Sequence, residues 1–425
     1  MKELKRLVLP LLAALTAALL CACGAAETGV SVRTETAPIE TPPGKTEATL
    51  AWLGDIVCHT DINEEAWDGA QYDFVPVFSG SANFVAEADY AFCCLETTFP
   101  DTTEYTGYPQ FRSPKELAAG LKALGFDLIN TASNHAVDSY KDGIDATLDV
   151  LDLSGLEHIG TYRTREERDE NHGVVVKEIN GIRVAFLAYT YGTNAIPVTD
   201  FAYAVNLVFK DYLTDFREPD YELMEADLEY ARSLAPDFVA VLIHWGNEYY
   251  TEPFPWQVEL ADWLFARGAD LVLGGHVHVP APMEVRRVTG PDGREKTGYL
   301  CYCLGNYVSG MNDPYTNLTA AVMLTLEKDH ATGEAYLKNV GYAPLFMVDL
   351  ADYGIWNAGW RFRLWDLHAA IDDYERGEDR GVITPALYGA LKRGLDDIHT
   401  IFPARYDLFD PSYAENESGE LKVPS

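Results

Sequence analysis

The sequence predicts an α/β protein built on covered sheets, and three observations carry that prediction. Near-continuous apolar runs such as residues 238–243 (FVAVLI) and 269–273 (ADLVL) read as strands buried on both faces. Segments of helical character separate such runs, the order expected of stacked α/β layers. Several of the strands end on a residue able to bind metal, at the carboxyl end where α/β sheets gather ligands.

The chain opens with a processing segment. Lys2, Lys5 and Arg6 form a positive region, and residues 7–20 are an apolar stretch of 14 residues. That is short of the roughly 20 needed to span a bilayer. The residues Leu20-Cys21-Ala22-Cys23-Gly24 resemble a bacterial lipobox, and a plain secretion signal is the alternative. Residues 1–23 are therefore expected to be a lipoprotein signal peptide ending at a lipidated Cys23, on the extracellular face of a bacterial cytoplasmic membrane. Residues 24–47 are rich in Thr, Pro and Glu and read as a tether.

The folded part is expected from the apolar run at residues 48–54 onward. A strand follows at residues 89–95. Ser113-Pro114-Lys115-Glu116 has the form of a capping box with Pro at the first helical position, predicting a helix to about Leu124. A short strand at 127–131 and a helix at 143–153 come next. Residues 174–179 and 182–189 flank Asn180-Gly181, a strong hairpin signal. Helices are predicted at 221–234 and 254–266, alternating with the buried strands at 238–243 and 269–273. Further strands fall near 299–304 and 318–326. The main domain is expected over residues 48–350, with a helical C-terminal extension over 351–425 whose Trp356, Trp360 and Trp365 supply an apolar packing face.

Composition narrows the partners. The 425 residues carry 66 acidic against 32 basic side chains, a formal charge of −34. Such a surface repels nucleic acid and anionic headgroups, which sets both aside as partners. It also repels a polyanionic substrate unless cations or a metal reverse the field locally. Beyond Cys21 and Cys23, the cysteines are Cys58, Cys93, Cys94, Cys301 and Cys303. Their odd number and strand context favour buried small hydrophobes over disulfides.

The strand ends carry the chemistry. The first ends Gly54-Asp55, with His59 four residues on, and the second ends Leu95-Glu96. The third leads into Ser133-Asn134-His135-Ala136-Val137-Asp138. The later ones end His244-Trp245-Gly246 and Gly275-His276-Val277-His278. Imidazole and carboxylate together suit Mn, Fe or Zn, and Asn adds a neutral oxygen. Two such ions about 3.5–4 Å apart can clamp a phosphoryl group and activate a water. His158, His172, His330, His368 and His399 lack this context and read as ordinary.

Gly54-Asp55, Asn134-His135, His244 and Gly275-His276-Val277-His278 resemble the ordered motifs of calcineurin-like metallophosphoesterases. Leu95-Glu96, Ser133 through Asp138, His244-Trp245-Gly246-Asn247-Glu248-Tyr249, the stretch from Gly268 to Pro280, and Leu304-Gly305-Asn306-Tyr307 are similar to one branch, the CapA (PgsA) proteins of poly-γ-glutamate capsule synthesis. The resemblance covers residues 48–310. It implies a layered αββα sandwich in which Asp55, Glu96, Asn134, His244, His276 and His278 hold one or two divalent metals. It further implies that His135 donates a proton to the leaving group or stabilises the transition state. Two departures stand out. The wider superfamily opens with Asp-x-His, whereas Asp55 is followed by Ile56-Val57, so His59 either replaces the lost ligand or lines the cleft. The bridging carboxylate is the longer Glu96.

Around the site, Arg112 offers a cation to phosphate or carboxylate, or else a surface salt bridge. Tyr191, Asn194, Trp245 and Asn306 offer substrate walls, or else packing and turns. Two functions are compatible with these residues. One is a metal-dependent hydrolase acting on a phosphoester or on an amide of a glutamyl polymer. The other is a non-catalytic component of polymer export or anchoring with a structural metal. The implied partners are an anionic envelope polymer such as poly-γ-glutamate, the membrane through a lipid anchor, and a capsule synthase complex.

Overall fold

The computed structural model describes residues 44–356, 359–413 and 421. The signal segment, Cys23 and all but the last residues of the expected tether lie outside them. No helix among the described residues is long and apolar enough to cross a membrane.

Four strands open a first sheet: β1 (Lys45–Val57), β2 (Tyr90–Leu95), β3 (Leu128–Asn130) and β4 (Glu157–Ile159). Six form a second: β5 (Val175–Ile179), β6 (Ile182–Thr190), β7 (Phe238–His244), β8 (Leu271–Gly275), β9 (Pro280–Thr289) and β10 (Glu295–Leu304). The chain then returns to the first with β11 (Asn306–Ser309), β12 (Leu318–Asp329), β13 (Glu334–Asp349) and β14 (Phe362–Asp366). The first sheet runs β14-β13-β12-β1-β2-β3-β4, with β11 beside β1, and the second runs β5-β6-β7-β8-β10-β9. β1 through β4 pair in parallel, as do β6, β7, β8 and β10, so these strands send their carboxyl ends the same way within each sheet.

The helices are α1 (Thr60–Glu65), α2 (Ala82–Glu87), α3 (Glu116–Leu124), α4 (Tyr140–Leu153), α5 (Arg165–Glu170), α6 (Tyr221–Ser233), α7 (Pro255–Ala266), α8 (Leu367–Arg376) and α9 (Pro385–Ile401). Trp52, Phe92 and Leu128 of the first sheet meet Phe186, Ala240, Leu242 and Leu271 of the second in a core between the sheets. Leu117 and Leu121 of α3 and Ile144 and Leu148 of α4 cover the outer face of the first. Met224 and Leu228 of α6 and Leu260 and Leu264 of α7 cover that of the second. The result is four layers, α/β/β/α. Each large apolar side chain buried this way contributes about 1.5–3 kcal/mol.

Asn180 and Gly181 both adopt positive φ, 51° and 81°, and close the β5–β6 hairpin expected from them. All five described cysteines are free and buried. Four expectations need correction. The fold begins at Lys45 rather than residue 48, because Lys45 pairs with Asp329 and its ammonium bonds Glu327. The capping box at Ser113 does not form, since the Ser113 hydroxyl pairs with Thr97 Oγ1 at 2.9 Å and the helix starts at Glu116. The C-terminal extension is not purely helical: β14 adds an antiparallel edge strand to β13. Trp356 is 73% exposed and packs no face.

Candidate metal centre

The centre forms where the two sheets present their carboxyl ends. β1 changes register between Trp52 and Asp55 relative to β2, and again after Asp55 relative to β11. Such irregularities re-aim a side chain. Gly54 permits this turn, because a Cβ there would lie 2.0 Å from the Gly305 carbonyl. Asp55 Oδ2 accepts the His276 amide at 2.7 Å. Its other oxygen occupies the space a Cβ on Gly275 would need, at 2.5 Å, so the first and second sheets touch through a glycine. His276 and His278 then hold φ of 97° and 63°. Such left-handed conformations cost about 1–3 kcal/mol each and persist where the surroundings impose them.

Glu96, one residue past β2, points its carboxylate at these histidines. Its Oε1 lies 3.4 Å from His244 Nε2 and 3.9 Å from His135 Nε2, and its Oε2 lies 3.9 Å from His278 Nδ1. Neither oxygen has a hydrogen-bond partner among the described residues, nor has His276 Nδ1. Asn134 aims Oδ1 into the same space, 2.8 Å from His244 Nε2, while its amide nitrogen donates to Asn194 Oδ1 at 3.0 Å. Buried acceptors without donors are costly. Here they surround one volume, with candidate ligand atoms of Glu96, His276 and His278 within 4.8 Å of one another. This donor set fits divalent metal: carboxylate, amide oxygen and imidazole, with lone pairs otherwise unused.

Burial sets the charge states of these groups. It pushes the Asp55 carboxyl up to about 6, against the pull of His244. It raises Glu96 as well, lowers His244 to about 4 and holds His276 well below the ordinary imidazole value. Neutral imidazoles are the form that ligates metal, and a bound cation favours the ionised carboxylates.

His135 stands beside this group. Its Nδ1 donates to Asp138 Oδ2 at 2.7 Å, and that oxygen also accepts the Phe111 amide at 2.5 Å. Burial works against charging His135, but the Asp138 hydrogen bond and the Glu96 charge outweigh it and raise its pKa. The structure thus brings Asp55, Glu96, Asn134, His135, His244, His276 and His278 together.

The other expected residues fall differently. Trp245 is fully buried, donates its indole N–H to the Tyr302 carbonyl at 3.0 Å and belongs to the core beneath α6 and α7. It faces away from the centre because it alternates with His244 along the extended chain. Asn306 is also fully buried. Its Oδ1 accepts from His278 Nδ1 at 2.9 Å, so it orients a histidine rather than walling a substrate. Arg112 is held through its backbone to Thr98, Thr106 and Asn63, with Nε buried and without a partner among the described residues. His59 has Nδ1 3.1 Å from the Val57 carbonyl and packs edge-on against Phe111, whose ring also meets His135. Tyr191 lies against His276, with ring centres 4.4 Å apart.

Sequence reasoning missed Cys94, whose Sγ lies 3.8 Å from His244 Nδ1 and groups with Asp55 and His244. Its position two residues before Glu96, on the same strand face, was the available signal. It also missed the positioning roles of Asp138 and Asn194.

Two facing sheets under helices, with histidines, carboxylates and an asparagine converging beyond their strand ends, define a layered α/β protein with a metal-type centre. Residues 49–311 match the family described as bacterial capsule synthesis protein PGA_cap, and the chain belongs to that family. It is 25% identical over 310 residues to the capsule biosynthesis protein CapA of Bacillus anthracis, covering 71% of this chain and 67% of the relative. It is 29% identical over 215 residues to the PGA biosynthesis protein CapA of Bacillus subtilis (strain 168), about half the length of each. Among solved structures, it aligns with a novel phosphatase from Mycoplasma pneumoniae at a TM-score of 0.41 and 14% identity, covering 70% of this chain and 93% of that one. It aligns with the calcineurin-like phosphoesterase YfkN from Bacillus subtilis at 0.39 and 13%, covering 70% and 91%.

Proposed function

We propose that this chain is a metal-dependent hydrolase of the bacterial cell envelope, acting in poly-γ-glutamate capsule metabolism on a phosphoester or a glutamyl amide. The observation that carries the proposal is the unpaired Glu96 carboxylate, ringed by Asn134, His244, His276 and His278, with the His135–Asp138 pair at its side. The family and the names of the Bacillus relatives support the capsule assignment.

Asp55, Glu96, Asn134, His244, His276 and His278 would hold one or two ions, with Mn, Fe or Zn suited to the donors. When bound, these supply Lewis acidity and an activated water. His135, its Nδ1–H held by Asp138 and its pKa raised by Asp138 and Glu96, carries a second proton on Nε2 as imidazolium and gives that proton to the leaving group. Asn306 and Asn194 hold His278 and Asn134 in register. Tyr191 against His276 and the half-exposed Tyr249 beside His278 line the approach. Cys23, diacylated, would anchor the protein at the outer face of the cytoplasmic membrane; fatty-acid labelling should mark the wild type and not Cys23→Ser.

A second function, a non-catalytic component for polymer export or anchoring, is favoured by one observation. Asp55 is followed by Ile56-Val57, and His59 Nδ1 faces the Val57 carbonyl and the Gly310 amide. The test is metal analysis of protein purified without added metal, followed by a panel of phosphodiesters and γ-glutamyl amides. Hydrolysis that needs metal and is lost in His135→Asn supports the enzyme. Inertness of the metal-loaded protein toward both classes leaves the second function.

A further inference from the structure

A second histidine–carboxylate cluster lies in the C-terminal extension. His368 stands in the first turn of α8 and His399 in the last turn of α9, while Asp407 follows the 3₁₀ turn Ala404–Tyr406. The two Nε2 atoms lie 2.7 and 2.8 Å from the same oxygen, Asp407 Oδ2. All three candidate ligand atoms fall within 4.8 Å of one another. The remaining oxygen, Oδ1, accepts the Phe409 amide at 3.0 Å, which fixes the direction of Oδ2.

Three features favour a cation at this point. Asp407 is fully buried, yet each imidazole keeps 24% of its side chain exposed, so an ion and a water can enter from the solvent side. Asp366 and Asp372 bear electrostatically on His368, and Asp410 on His399, which makes the surroundings negative. Tyr342 of β13, bridged to Asp407, is fully buried and its hydroxyl has no partner among the described residues. Two nitrogens and one carboxylate oxygen, with water in the fourth place, make a tetrahedral zinc-type set. Metal–ligand bonds of about 2.0–2.2 Å at a tetrahedral angle separate ligand atoms by about 3.3–3.5 Å. Each imidazole would therefore withdraw from its 2.7 or 2.8 Å contact with Asp407 by about 0.5–0.8 Å, a movement exposed edges allow.

We propose that His368, His399 and Asp407 form a second metal site, of the zinc class, that fastens α8 and α9 to the first sheet. Asp407 is bridged to Tyr342 of β13, and the Leu408 amide donates to the Tyr342 carbonyl at 2.9 Å. An ion here therefore ties both helices and the chain after them to one strand. On binding, each Nε2 turns a lone pair to the ion and its hydrogen moves to Nδ1, and any protonated imidazole releases a proton.

The test is equilibrium dialysis of the full chain against zinc, with elemental analysis, for wild type, His399→Gln and His368→Gln. Glutamine still donates a hydrogen bond, so these variants are expected to fold, which circular dichroism verifies. Each should bind one equivalent fewer than wild type, or bind that equivalent at least tenfold more weakly. Glu96→Gln, altered only in the first centre, should keep it. Cobalt(II) in Glu96→Gln should show tetrahedral visible absorption that His399→Gln abolishes in the double variant. If wild type and both glutamine variants bind equal zinc with equal affinity, the cluster is a hydrogen-bonded staple and the proposal fails. That outcome leaves the proposed hydrolase untouched, because it does not involve Glu96.

Discussion

The two histidine–carboxylate clusters are finished in opposite ways. Around Glu96 the carboxylate oxygens have no donors among the described residues, nearby imidazole nitrogens stand 3.4–3.9 Å away, and two histidines hold left-handed backbone conformations. Around Asp407 both carboxylate oxygens are used, at 2.7 and 2.8 Å by imidazole and 3.0 Å by backbone. Buried groups are normally paired, so a costly vacancy of donors needs a reason. The first cluster spends stability to keep lone pairs directed at one point. The second is already paired, and an ion must displace its hydrogen bonds. The first should therefore depend on metal far more steeply than the second.

The largest expected effect breaks the first cluster outright. His276→Ala should lose the metal of the first cluster and activity together, and its melting temperature should respond to chelation much less than that of wild type. In wild type, metal at about a hundred times its dissociation constant adds roughly 2.7 kcal/mol, which a thermal scan with and without chelator reads. Next, His135→Asn should keep the metal while kcat falls by about 10²–10⁴, the usual loss with a general acid. Loss of metal in that variant would move His135 into the ligand set.

Asn306→Ala distinguishes an orienting residue from a substrate wall. Without its hydrogen bond His278 loses its fixed orientation, so metal affinity should weaken about 10–100-fold with KM for substrate little changed. A change confined to KM would restore the wall.

The smallest effect concerns a carboxylate that is fully paired. Glu327 accepts from Lys45, Tyr336 and Lys338. Burial would raise its pKa, but these hydrogen bonds push it down to about 2. A depressed carboxyl stabilises the fold above its unfolded value of about 4.5, and loses that contribution as pH falls toward 2. Its lysine partners are half-exposed, so each pair contributes only about 0.2–1 kcal/mol. Denaturant melts should show Glu327→Gln slightly less stable than wild type near neutral pH, with the gap closing in acid.

Much of the first cluster was legible because each ligand candidate lies at or within a few residues of the carboxyl end of a strand, and such ends converge by topology alone. His244, Glu96, His276 and His278 could be read that way, as could the Asn180-Gly181 hairpin. Trp245 was left open between a substrate wall and packing, although alternation already placed it opposite His244. Asn306 was not legible: its role depends on the register shift after Asp55, which no local pattern announces. The second cluster was invisible for another reason. Asp407 lies 39 residues from His368 and 8 from His399, on separate elements, and only the packing of α8 against α9 unites them.

The most direct measurement is the metal content of the full chain purified without added metal, comparing His399→Gln with the His399→Gln/Glu96→Gln pair. The first substitution removes any contribution from the Asp407 cluster. The single variant is predicted to retain one or two equivalents of Mn, Fe or Zn, and the double variant to lose them. Equal metal in both would contradict the assignment of Glu96 and its histidines as the metal centre.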